Sequence, residues 1–190
     1  MRRVLLLLPA LAGFGAPAFA DDPLPHYVRT GSDLACQQEA GKTAANDTPC
    51  LAIGDVQIGM RRSRIEFRLG KPVQTIEADG RTYYGYALNW SNAGQALNAS
   101  HQVLTSAMVS YDAQGTADSL QIAGEPWDGA WRFCGLTLGD SASALRTRLG
   151  EPLQTGPGDA GATVLSYGPS VAIGLRNDRI SSIRIAKSGA

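Results

Sequence analysis

Three kinds of side chain able to do chemistry stand out in this 190-residue sequence: two histidines, three cysteines and a scatter of carboxylates. His26 and His101 stand alone, with no HxxxH or CxxC spacing to supply a second metal ligand. No G-x-S-x-G elbow, phosphate-binding loop or dinucleotide fingerprint is present. Glu39, Glu66, Glu77, Glu125 and Glu151 are too dispersed to read as paired acid–base carboxylates, and they read as solvated surface charge. Cys134 lies in Trp131-Arg132-Phe133-Cys134-Gly135-Leu136. Such an apolar setting raises a thiol pKa and makes it inert, so Cys134 reads as a small buried apolar residue. The expectation is a protein that is not an enzyme and carries no catalytic, cofactor-binding or metal-binding residues.

The remaining two cysteines, Cys36 and Cys50, bracket a polar segment with little power to order itself. A Cys36–Cys50 bridge would close a loop of about 15 residues and stabilise the fold by ~3 kcal/mol. It is the favoured pairing, although spacing alone also allows Cys50–Cys134 and Cys36–Cys134. The aromatic residues are the more informative set. Tyr84 and Tyr86 share one face of a strand, Trp90 follows, and Trp127 and Trp131 lie in a later linker. Tyr and Trp combine apolar area with a polar tip and are enriched at interface hot spots. These five are the candidate partner-binding residues, with packing between sheet and helix as the alternative reading. Arg61-Arg62-Ser63-Arg64 and Arg68 read as a solvated helix face, or as a dock for an acidic partner.

The elements that position these residues begin with a leader. Met1-Arg2-Arg3, an apolar run through Leu8, and Ala18-Phe19-Ala20 together describe a secretory signal peptide cleaved after Ala20. Its apolar stretch falls short of the ~20 residues that cross a bilayer. Removing the first 20 of 190 residues leaves 170, with 15 basic and 17 acidic side chains, a formal charge of −2. That balance excludes the strong basic field of a nucleic-acid binder. The expected location is periplasmic or secreted, with no direct membrane span and at most a peripheral association through a partner.

Next comes a duplication. Gly59, Ser63, Arg68, Leu69, Gly70, Pro72 and Gln74 recur without a gap at Gly139, Ser143, Arg148, Leu149, Gly150, Pro152 and Gln154. Ile65 and Leu69, like Leu145 and Leu149, are spaced i,i+4 on one helix face. Gly70 and Gly150 fit a left-handed C′ position, and the proline two residues later prevents continuation. Each copy predicts a two- to three-turn helix followed by strands. Those strands are Arg81–Ala87, Val103–Tyr111 and Ala117–Ile122 in the first copy, and Thr163–Gly168, Val171–Leu175 and Ile180–Ile185 in the second. The expected fold is α+β: two tandem helix-plus-three-stranded antiparallel meander repeats, preceded by an irregular N-terminal arm. The expected boundaries are 1–20 signal peptide, 21–50 arm, 51–122 repeat one, 123–132 linker and 133–190 repeat two.

The Gly59, Leu69-Gly70-Lys71-Pro72 and Tyr84-Gly85 set, matched by Gly139, Leu149-Gly150-Glu151-Pro152 and Tyr167-Gly168, resembles a known family. It is the outer-membrane assembly lipoprotein (SmpA/OmlA or BamE-like) family, whose unit the β-lactamase inhibitor proteins carry in tandem. The resemblance covers most of residues 51 to 186. Those lipoproteins carry a lipidated cysteine where this chain has Asp21, and they are usually single-copy. No contact residue carries over. The duplicated meander, the aromatic linker and the lack of catalytic sets point to an exported accessory or inhibitory protein that stabilises, assembles or inhibits a larger envelope or periplasmic protein. A membrane-bound periplasmic dehydrogenase is another candidate partner, and a small-molecule or lipid binder using the inter-repeat cleft is the alternative.

Overall fold

The computed structural model describes residues 26–30, 33–37, 52–78, 80–89, 105–126 and 131–187. The signal peptide, Cys50, Trp90, His101 and Trp127 lie outside these residues.

Two hairpins precede the first helix. Strands β1 (His26–Thr30) and β2 (Asp33–Gln37) pair antiparallel, so the segment expected to be irregular contains regular structure. Strands β3 (Ala52–Ile53) and β4 (Val56–Gln57) form a second, very short hairpin around Gly54 at φ 58°. Helix α1 (Arg62–Leu69) follows, then β5 (Gln74–Ala78), β6 (Arg81–Asn89), β7 (Thr105–Tyr111) and β8 (Ala117–Gly124). After a tight turn at Phe133–Leu136 come α2 (Ala142–Leu149), β9 (Gln154–Pro157), β10 (Thr163–Ser166), β11 (Val171–Arg176) and β12 (Arg179–Ala186).

The fold differs from the two tandem helix-plus-meander repeats expected. The main-body strands do not form two separate three-stranded meanders but one eight-stranded antiparallel sheet, in the order β5-β6-β7-β8-β12-β11-β10-β9. Among the described residues two eight-residue α-helices accompany it. Two additional strands, β5 and β9, were not expected. Every residue of β5 is exposed, and β9 ends in Gly156-Pro157, so neither carries the apolar alternation that marks a strand. They exist because β6 and β10 present open edges that pair with whatever chain lies alongside.

The join is made by β8 and β12. Ile122 faces Ile183 and Leu120 faces Ile185 across it, and all four are buried. Gln121 and Arg184 face each other at its centre. The equivalent residues of the two copies are Gln121 and Arg184 themselves, so an approximate two-fold axis runs through this pair. Two meanders left apart would each expose a strand edge, and pairing them removes both.

Local hydrogen bonds follow the duplication. The amides of Gly59 and Gly139 donate to the carbonyls of Ala117 (2.7 Å) and Ile180 (2.8 Å). The amides of Ala117 and Ile180 return bonds to Met60 (2.9 Å) and Asp140 (2.8 Å). Ser141 caps α2 by accepting from the Ala144 amide at 3.1 Å, whereas Arg61 gives α1 no side-chain cap. The Asp140 carboxylate accepts from the Thr137 amide at 2.8 Å. Both helices stop at a glycine, Gly70 at φ 81°, ψ −166° and Gly150 at φ 76°, ψ −162°. That region is more restrictive than the expected left-handed helical one and is essentially glycine-only.

The register also shifts one correspondence. Gly85 pairs with Gln74 and Ser166 with Gln154, so Tyr167 matches Tyr86 and not Tyr84. A two-residue slide keeps side chains on the same face, which is why the Tyr-Gly match was misleading. The core lies between the helices with their preceding hairpins and one face of the sheet. Ile53, Ile65, Tyr86, Leu120, Phe133, Leu145, Tyr167 and Ile183 are all fully buried there.

Candidate functional site

On the helix-covered face, the sequence-selected aromatics divide. Tyr86 is wholly buried and has no surface to offer a partner. Tyr84 and Trp131 are half-buried and pack against the core. Trp90, Trp127 and the Cys36–Cys50 pair fall wholly or partly outside the described residues. Cys134 is half-buried, at φ 55° in the turn between Phe133 and Leu136.

Tyr84 belongs to a cluster with Arg62 and Tyr111. Its ring lies 5.5 Å from that of Tyr111, tilted by 58°. The Arg62 guanidinium sits 4.0 Å above Tyr84 and 5.7 Å from Tyr111. Arg62 Nε donates to Glu66 Oε1 at 2.6 Å, and the hydroxyls of Tyr86 and Tyr111 are 2.9 Å apart. Burial, followed by the Tyr86 hydroxyl, holds the Tyr111 phenol far above its ordinary value. Burial raises that of Tyr86 as well. Both phenols therefore stay protonated near neutrality, and neither is a usable general base. The hydrogen bond to Glu66 raises Arg62. In the second copy the equivalents of Arg62, Tyr84 and Tyr111 are Ala142, Leu165 and Leu175. The fold accepts aliphatic residues there, so the cluster is a polar brace between α1 and β6–β7.

The helix-free face of the sheet has the shape of a binding site. An open cleft of about 730 Å³ crosses the β8–β12 join and extends over β11 to the turn after β9. Its floor is the in-register row Ala123, Ser182 and Gly174. A Cβ placed on Gly174 would approach Ser182 Oγ to within 2.3 Å, so the row is as low as side chains permit. Beside it runs the row Gln121, Arg184 and Ala172. Arg176 stands on the other side, and Asp159 and Glu125 complete the rim. All four charged side chains are exposed, and none pairs with another described residue.

This arrangement can hold a partner through its small-residue floor and charged rim. Ser182 has no histidine beside it among the described residues, and no three His, Cys, Asp or Glu side chains among them group closely enough to hold a metal. Sequence reasoning did not select these residues. Their alternation was visible, since Gln121 sits between Leu120 and Ile122 and Arg184 between Ile183 and Ile185. Their adjacency was not, because it depends on the β8–β12 pairing. No helix among the described residues is long and apolar enough to cross a membrane.

Comparisons with known proteins add little to this geometry. No family model matches the chain. No curated protein matches it either. Among solved structures it is similar to a DUF4309 family protein (YjgB) from Bacillus subtilis, at 16% identity and TM-score 0.41, over 73% of this chain and 84% of that one. It is also similar to an extracellular protein containing a SCP domain from Bacillus anthracis, at 8% identity and TM-score 0.43, over 80% of this chain and 49% of that one. Neither is described as an assembly lipoprotein or an inhibitor.

Proposed function

We propose that this chain is an exported, non-catalytic binding subunit that stabilises, assembles or inhibits a larger envelope protein. Export rests on the Met1 to Ala20 leader pattern. The observation that carries the binding role is the cleft across the β8–β12 join, with its small-residue floor and a rim of four charges unpaired among the described residues. A floor of Ala, Ser and Gly leaves room for inserted side chains. A rim that carries Arg184 and Arg176 together with Glu125 and Asp159 suits an extended protein segment carrying both signs of charge, a complementarity that gives specificity and association rate. The alternative of a lipid is less well supported, since lipid sites are mostly apolar and enclosed whereas this cleft is polar-rimmed and open.

The test is gentle isolation of the full chain from its native envelope, alongside an Ala123→Trp variant that fills the floor. The wild type is expected in a complex heavier than the monomer, and the variant as monomer with an unchanged circular dichroism spectrum. A wild type that is always monomeric and free would sink the proposal. A small ligand retained in native mass spectrometry would favour the alternative.

A further inference from the structure

On the opposite side from the cleft, α1 exposes an apolar side chain that the fold does not explain. Phe67 is 90% exposed, and Val73 and Ile76 are 45% and 44% exposed. Isolated exposed apolar residues are unremarkable on proteins. These three fall within ten consecutive positions, and the second copy serves as an internal control.

Helix α2 has the same length, the same glycine stop and the same backbone bonds to its sheet as α1. At the position of Phe67 it carries Thr147, while Val73 keeps an exposed counterpart in Leu153. Arg61, Arg64 and Lys71 are likewise replaced by Ser141, Ala144 and Glu151. Residues 61–71 hold five basic side chains and one acidic, a net charge of +4, while residues 141–151 hold two basic and one acidic, a net charge of +1. The scaffold thus requires neither the aromatic ring nor the surrounding cations.

The cations also differ in how they are used. Arg62 pairs with Glu66 at 2.6 Å and Arg68 with Asp55 at 2.6 Å. Arg61, Arg64 and Lys71 pair with no described residue. Arg64 lies one turn before Phe67 on the same helix face, and Lys71 follows just past Gly70. An exposed aromatic ring within a cationic rim has the composition of an interface hot spot: an apolar anchor, with charges that steer and orient. It lacks the continuous apolar face with which an interfacial helix enters lipid, since Ile65 is buried in the core and Leu69 packs against it.

We propose that the outer face of α1, centred on Phe67 and flanked by Arg64 and Lys71, is a second docking surface for an acidic protein segment that carries apolar side chains. It is independent of the cleft and lies on the other side of the sheet.

The experiment titrates the full chain with a synthetic peptide alternating leucine and glutamate, following backbone amide shifts, with the leucine–lysine peptide as the charge control. Saturable shifts centred on residues 61–71 are expected with the acidic peptide alone, weakening as salt rises. Phe67→Ser and Arg64→Glu should each lower affinity by about tenfold, in line with loss of a hot-spot contact. Thr147→Ser should leave it unchanged. Equal binding by Phe67→Ser, shifts centred on α2 or the cleft, or no saturable binding would overturn the proposal. So would uptake of the protein by phosphatidylglycerol vesicles with no response to the peptide, which would assign the patch to a membrane surface.

Discussion

At the residue scale, the helix stops make the sharpest prediction. Gly70 and Gly150 have open space where a Cβ would sit, so a purely steric view would tolerate alanine at either. Their dihedrals argue otherwise, because a side chain there is strained whatever the space around it. Gly70→Ala and Gly150→Ala should each cost about 1–3 kcal/mol in urea denaturation. Gly156→Ala, with equal space and no positive φ, should stay within about 0.5 kcal/mol. Asp112 supplies a pH test. Its carboxylate accepts from the Thr116 hydroxyl and amide and from the Gln114 amide, and these bonds, led by the hydroxyl, hold its pKa below the ordinary 3.8. A depressed carboxylate contributes stability above its unfolded pKa and loses it as pH falls through the folded value. The Asp112→Ala variant should therefore be less stable than the wild type at neutral pH, with the gap closing below pH 3.8. Acid titration of circular dichroism in both proteins reads this directly.

At the element scale, the brace of Arg62, Tyr84, Tyr86 and Tyr111 works against alkali. A phenol whose pKa is raised by burial contributes stability below its unfolded value of 10.0, and the contribution is lost as pH rises beyond it. Tyr111→Leu, which installs the residue type found at Leu175, should fold and should show a smaller loss of stability above pH 10.0 than the wild type. An undiminished alkaline loss in the variant would show that the brace does not titrate. The two helices were legible in the sequence, with bounds set by the i,i+4 apolar pairs and by the glycine and proline behind them. Strands β6 to β8 and β10 to β12 were legible too, because their alternation is strong. Strands β5 and β9 were not, since what makes them strands is a neighbour's open edge and nothing in their own side chains.

At the scale of the whole molecule, an eight-stranded sheet shared by both copies and one core among the described residues imply one cooperative unit. Ile183 is fully buried at the β8–β12 join. Ile183→Ala should cost about 2–5 kcal/mol, the usual range for emptying such a site. Circular dichroism and tryptophan fluorescence should still report a single coincident transition. Two separated transitions would argue that the halves fold independently, against the shared sheet. The candidate surfaces divide along the same line. The cleft belongs to the join and exists only when both copies are present, whereas the Phe67 face belongs to the first copy alone.

What the sequence determined by itself is local: the duplication, the short helices and their glycine stops, the inward alternation of most strands, and the lack of a recognisable catalytic motif. Those properties are encoded in side chains within a few positions of one another. Tertiary structure alone decided that the two copies share one sheet, that Tyr86 is core, and that Gln121, Ser182, Arg184 and Arg176 converge on one cleft. The physical reason is that backbone edges carry no sequence signature: any strand with unpaired amides and carbonyls will accept another. Which edge meets which is settled by burying Leu120, Ile122, Ile183 and Ile185 together, a choice made across some sixty residues of chain.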